Sequence, residues 1–387
     1  MFLQILPPFV QNPLAGFRLS IVAGFACLLR RKTSFSYPLL WVSLFLFVWS
    51  VLPANAQQTV ALHSNGEVSF FPNSNGFVLA VAAASDGDTL YLSGGIFPVA
   101  NLLIDKKLII YGVGYAPQQT TATGITQING SIYLISGADH TQMSGLFING
   151  NLFVGTTALN QNVSNVLIKR CYINGMVRLT HDGNESHMGS HFTLLENIIG
   201  VLNGNHIRNC LIRQNIIERL YYFRDNNLFV NNIIMRTSEY FSFSYSNING
   251  SHFENNIFIQ TTYSNMETGG YTNCTFHQNA FVSNASFGST NSIGVYENLV
   301  SQDVNTIFVN YDGALAFSYS YDFNLDENFA GKNYGKDGYD IGIFGTSVPF
   351  KASMLPEIPH ISSQTIAPST DQDGNLQIQI EVEAQDR

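Results

Sequence analysis

Six segments of the chain, LLENIIG, RQNIIE, VNNIIM, ENNIFI, HQNAFV and YENLVS, align on Asn197, Asn215, Asn232, Asn256, Asn279 and Asn298. Successive asparagines are 18, 17, 24, 23 and 19 residues apart. Three residues before them stand Leu194, Ile212, Phe229, Phe253, Phe276 and Val295. Two residues after them stand Ile199, Ile217, Ile234, Phe258, Phe281 and Val300. All twelve flanking positions are apolar in a chain that is only 45% hydrophobic, so the register is a property of the sequence.

A helical repeat is excluded, because these short apolar runs lack a 3.6-residue period sustained over ten or more residues. Coils of three short strands fit, each strand pairing in parallel with its counterpart about 4.8 Å away. Equivalent residues then stack. Apolar ones fill the interior, and Asn at a turn bonds to the Asn above and below while tolerating left-handed backbone. The variable spacing is taken up in outward loops. Cys210 and Cys274 each lie five residues before a repeat Asn, which predicts an inward, packing role.

The entry segment 76–115 adds an apolar stretch at Ala80–Ala84, then Gly87-Asp88-Thr89, Gly95-Ile96-Phe97 and Gly112-Val113-Gly114. With the Asn repeat, this resembles the pectate-lyase-like superfamily, in the form of uncharacterised bacterial secreted proteins. The resemblance covers about residues 76–345, and its motifs specify a fold rather than a reaction. It implies an all-β, right-handed parallel β-helix whose first coil is capped by a short helix at Ala80–Ala84. Residues 323–345, FNLDENFAGKNYGKDGYDIGIFG, resemble the last coil of such proteins. Beyond them Leu376, Ile378, Ile380, Val382 and Ala384 alternate with polar residues, which predicts a small β cap with one buried face.

The N-terminus reads as an export signal. Arg30, Arg31 and Lys32 precede the apolar run Pro38–Val51, and Ala54-Asn55-Ala56 supplies a small-residue cleavage site before Gln57. The apolar run falls short of the roughly 20 residues of a membrane span, so no span is expected after cleavage. Residues 1–29 are read as an upstream extension from a misassigned start. The expected organisation is a leader at 1–56, a β-helix at 57–345 and a β cap or tail at 346–387. The protein is expected to be secreted, periplasmic or at the cell surface, and monomeric.

The leader holds four of the 18 Lys and Arg and none of the 27 Asp and Glu. The rest carries a net charge of −13, which argues against nucleic acid as a partner. Cys171, Cys210 and Cys274 remain, an odd number without a C-x-x-C pair, so neither a disulfide framework nor a zinc site is expected.

Against this acidic background, residues 166–240 hold eight cations and six acids. Arg208, Arg213, Arg219 and Arg236 in this band are candidates for recognising the carboxylates or sulfates of an acidic polysaccharide, which Arg binds bidentately. Pairing with Glu218, Asp225 and Glu239 is the plainer role. His181, His187 and His191 belong to the densest titratable cluster, 181–191, and are further candidate binding residues. It matches no named metal spacing. Asp322, Asn324, Asp326, Asp337 and Asp340 are a candidate calcium site, set against a simple network of turns. The resemblance implies lyases that abstract a proton with Arg or Lys, often beside calcium, and hydrolases that cluster Asp residues. No Asp cluster lies in the repeat body, so a lyase is favoured over a hydrolase if the chain is an enzyme. The alternative is a non-catalytic structural or surface-interaction protein.

Overall fold

The computed structural model describes residues 58–156, 162–181, 189–237, 248–261, 271–282, 284–287 and 293–384. The predicted leader and His187 lie outside these residues. By contacts the chain divides into Met1–Asn55 and Ala56–Arg387, and all that follows concerns the second unit. None of its described helices is long and apolar enough to cross a membrane.

The chain is a parallel β-helix. Sheet I stacks ten strands in parallel, from Thr89–Leu92 to Gly294–Tyr296, and Thr59–Ser64 and Glu67–Pro72 join its first edge antiparallel. Sheet II stacks strands from Gly95–Ile104 to Ala280–Phe281, again in parallel. In nine of the ten parallel strands of sheet I the residue at the shared inward position is buried: Leu90, Ile110, Met143, Ile168, Leu194, Ile212, Phe229, Phe253 and Phe276; Val295 of the last strand is exposed. Phe229, Phe253 and Phe276 stack with ring centroids 4.6 and 4.9 Å apart, a direct result of in-register pairing. Helix α1, Gly76–Ala83, buries Phe77, Ala80 and Val81 against the first coil, the expected cap. Cys171, Cys210 and Cys274 are buried and free, as their spacing predicts.

The turn from sheet I to sheet II carries the asparagine ladder. The backbone N–H of each ladder Asn donates to Oδ1 of the next, at 2.9 Å in all five steps from Asn197 to Asn298. Each Nδ2 also donates to a carbonyl of the preceding coil, so a fully buried amide is satisfied. The left-handed conformation falls not on the ladder Asn but on the residue before it: Glu196, Gln214, Asn231, Asn255, Gln278 and Glu297 have φ between 50 and 57°, and Arg170, before Cys171 at the same turn, has φ 47°. The ladder bonds offset the roughly 1 kcal/mol that such backbone costs each non-Gly residue.

Two sheets appear where three strands per coil were expected, because the strands of sheet II are long and bend within themselves. The bend follows Gly130, Gly150, Gly175 and Gly200. A Cβ on Gly150 would lie 2.1 Å from the Gly130 carbonyl oxygen, and one on Gly175 would lie 2.3 Å from that of Gly150. Only glycine lets the coils approach so closely. Asn129, Asn149 and Asn174 precede three of these glycines and form a second, surface ladder.

Leu299 still bridges in parallel to Ala280, and after Gln302 the chain leaves the coil pattern. Asp322–Leu325 pairs antiparallel with Phe308–Asn310 rather than forming a last parallel coil. Residues 334–364 then walk back along the ladder turn, coil by coil. Tyr334 Oη donates to the Glu297 carbonyl, Gly342 N to Asn255 O, and Asn231 Nδ2 to Gly345 O. Gln214 Nε2 reaches Val348 O at 2.7 Å, and Arg170 Nη1 reaches Leu355 O at 3.3 Å. This strap covers a second core, in which Ile198, Ile216, Ile233 and Ile257 of sheet II face outward onto Phe308, Phe323, Ile341, Ile343 and Phe350. The boundary drawn at residue 345 falls inside the strap. A final hairpin, His360–Ile366 with Ile378–Glu383, supplies the small C-terminal sheet. Its apolar stripe is exposed rather than buried.

Candidate functional site

The four candidate arginines do not share one face. Arg213 ends a sheet I strand, paired between Leu195 and Val230. Arg208 precedes sheet I and forms an ion pair with Asp225 at 3.5 Å. Arg219 and Arg236 lie in sheet II, where the pairing of Leu220 with Thr237 makes them neighbours. Their stacking on adjacent coils is thus the one grouping that survives. Arg170, from the same band, is buried, and its Nε donates to Glu196 Oε2 at 2.8 Å. Lys351 N donates to the same oxygen, so this pair anchors the strap.

His191 has a φ of 60° and occupies the left-handed turn before sheet I, equivalent to His140, Asn165, Asn209 and Asn226. Its Nδ1 lies 2.7 Å from Ser190 Oγ. That is a turn position and needs no ligand. His181 is different. Its Nδ1 lies 3.1 Å from Arg178 Nη2, in a cavity of about 300 Å³ lined by Asn101, Leu103, Tyr133, Thr156, Arg178 and His181. The guanidinium of Arg178 sits over the Phe153 ring, 4.4 Å from its centroid.

This cavity belongs to a longer stripe. In-register pairing aligns Leu103 with Tyr133, Tyr133 with Phe153, Phe153 with Arg178, Arg178 with Asn203, and Asn203 with Tyr221. Five neighbouring strands from Leu103 to Asn203, at about 4.8 Å, make a track of roughly 19 Å along the solenoid, and Tyr221, next in register, is buried. Phe153 and Tyr133 meet edge to face at 5.4 Å, giving the track rigid apolar platforms. Burial pulls the Arg178 guanidinium below its usual range, and no carboxylate among the described residues forms an ion pair with it. A half-buried cation on an aromatic face suits a planar anion, which its fork can bind through two parallel N–H donors.

The candidate calcium ligands are spread over separate turns. Asp322 Oδ1 accepts from Asn324 N, Asp326 Oδ1 from Asn328 N, Asp337 Oδ1 from Tyr339 N and Asp340 Oδ1 from Asn333 N. Asp340 also pairs with Lys332 at 3.2 Å. Among the described residues, no three His, Cys, Asp or Glu side chains converge as metal ligands.

A second cavity of about 300 Å³ lies between Ile216 and the strap, walled by Phe317, Tyr319, Phe323 and Phe350 among others. Beside it Glu218 accepts from Phe317 N; burial raises its carboxyl, opposed by that hydrogen bond and by Arg219. Sequence reasoning placed Arg178 in the cationic band without singling it out. Its signal was the repeated Ile-Asn-Gly at 128–130, 148–150 and 173–175, which fixes the bend and so aligns Tyr133, Phe153 and Arg178 beyond it.

No known protein family matches the chain, and no curated protein matches it in sequence. What fold and site define is therefore a class: a parallel β-helix with an aromatic and cationic track on one outer face.

Proposed function

We propose that this is an exported β-helix protein, of the pectate-lyase-like kind, that binds or processes an acidic extracellular polysaccharide along the Leu103–Asn203 track. The observation that carries the reading is Arg178, held over Phe153 between Tyr133 and His181. Aromatic rings offer apolar faces to sugar rings, and the guanidinium offers a matched donor pair to a uronate carboxylate or a sulfate ester. If the polymer is also cleaved, elimination is favoured over hydrolysis: the track offers guanidinium and imidazole, and no carboxylate pair among its described residues. Export rests on the basic, apolar and Ala-x-Ala order of the first 56 residues. Sequencing the N-terminus of the exported chain is expected to begin at Gln57.

The test is retention on polygalacturonate, alginate and chondroitin sulfate, with a neutral glucan as reference. Arg178→Ala is expected to weaken retention on the acidic polymers at least tenfold, and added salt is expected to weaken the parent chain. Equal retention of parent and variant, or of acidic and neutral polymers, overturns the proposal. New unsaturated ends, read by ultraviolet absorbance, would mark a lyase.

A further inference from the structure

We infer that the C-terminal hairpin is an interaction edge for a second copy of this chain. Four observations carry it. The hairpin stands out from the body, with Leu376, Ile378, Ile380 and Val382 46, 57, 53 and 58% exposed. Ile366 pairs with Ile378, Gln364 with Ile380 and Ile361 with Val382, so five apolar side chains share one face with Gln364. Two strands alone are marginally stable in water, and pairing along the free edge widens the sheet that carries this face.

The second observation concerns the edges. The 360–366 strand is guarded by an irregularity between Ile361 and Ser363 and is tied to the body by Gln364 Nε2 on the Ala122 carbonyl, at 2.6 Å. The 378–383 strand pairs only with 360–366 among the described residues. It contains no Pro, no Lys and no bulge, and its only charges are Glu381 and Glu383.

The third observation fixes the phase. Ala367 N donates to Gln377 O at 2.9 Å, and in an antiparallel ladder the bonding direction alternates. Gln377, Gln379 and Glu381 therefore turn their backbone groups toward the partner strand. Ile378, Ile380 and Val382 turn theirs outward, with no strand opposite.

The fourth is the order of side chains. LQIQIEVEA reads as a near palindrome about Ile380. Antiparallel pairing with a second copy, centred there, sets Ile380 against Ile380, Ile378 against Val382 and Leu376 against Ala384. On the other face every Glu meets a Gln: Glu381 faces Gln379 and Glu383 faces Gln377. Centring on Glu381 or on Val382 instead would oppose glutamates. The favoured register is thus the one in which the outward N–H and C=O groups pair and like charges are avoided. Strand pairing alone buries less than the roughly 1,200 Å² of a stable interface, so the dimer forms reversibly with concentration. Such a dimer departs from the monomer expected from the sequence.

Sedimentation velocity over a wide concentration range tests the inference on the full chain. Ile380→Pro removes an N–H that points away from the 360–366 strand, so the hairpin keeps its own ladder while the dimer is lost. Gln379→Lys sets a cation against Glu381 of the second copy twice per dimer and is expected to tighten it roughly fivefold. A chain that stays monomeric at every concentration overturns the inference. So does a dimer that Ile380→Pro leaves unchanged, which would move the contact elsewhere, to the track or to another apolar surface.

Discussion

Sheet II builds two outer faces with opposite fates, and the strand Ile198–Ile207 belongs to both. On one side of the glycine bend the outward column reads Ile198, Ile216, Ile233, Ile257, and the strap covers it. On the other side it reads Tyr133, Phe153, Arg178, Asn203, and it stays open. Strand pairing is indifferent to the change, since both halves keep the parallel register. The difference lies in the outward side chains and in where the cover reaches, since Phe147 and Tyr172 continue the isoleucine column and pack against the same second core. A run of β-branched residues must find a cover, and aromatic rings interleaved with Arg and Asn can face water with their polar ends free.

The comparison can be broken at its most protected point. Glu196→Ala leaves Arg170 buried without its partner and removes the acceptor for Lys351 N. We expect a loss of about 3–5 kcal/mol in chemical denaturation, the largest effect of any single change to the strap. Next, Ile233→Ala on the covered half should cost about 2–4 kcal/mol. Phe153→Ala on the open half should cost under about 1 kcal/mol and instead reduce retention on acidic polymers. Equal stability losses for Ile233→Ala and Phe153→Ala would show that the open face is packed too. The smallest effect concerns Glu218. Its carboxyl is raised by burial in the fold, so the folded chain holds that proton to higher pH than the unfolded chain. Stability is then lost as pH rises above the ordinary carboxylate value. Glu218→Gln should flatten that slope and leave low-pH stability unchanged, as thermal melts across pH would show.

How much of this was legible follows from which residues must repeat. Asn232 could be read from sequence because each ladder amide bonds to the coils on both sides, so every coil needs the same residue in the same place. Phe253 could be read because stacked rings fill one continuous interior. The left-handed residue could not be assigned, since Arg170, Glu196, Gln214 and Asn231 share a backbone conformation and no side-chain chemistry. What unites them is the strap, which meets each at a separation of more than 100 residues and has no repeat of its own. The arginines misled for a related reason. Arg208, Arg213 and Arg219 lie within one coil, and the tight turns at Asn209 and Gln214 set them on different sides of it, so closeness along the chain does not mean a shared face. His191 was drawn into the binding cluster by its neighbours, although its position before sheet I belongs to a turn column that Asn209 and Asn226 also occupy. Arg178 needed the glycine bend, and the Ile-Asn-Gly triplets that announce it sit outside the six aligned segments.

The strap also sets a schedule. Gln214 awaits Val348, and Arg170 awaits Leu355, which are 134 and 185 residues later in the chain. While the chain emerges in order, the ladder turn and the isoleucine column are finished long before their cover exists. During that interval the body is complete in its interior and sticky along one side. Any route that delivers this protein must therefore either shield that side or hold the coils open until the last fifty residues arrive.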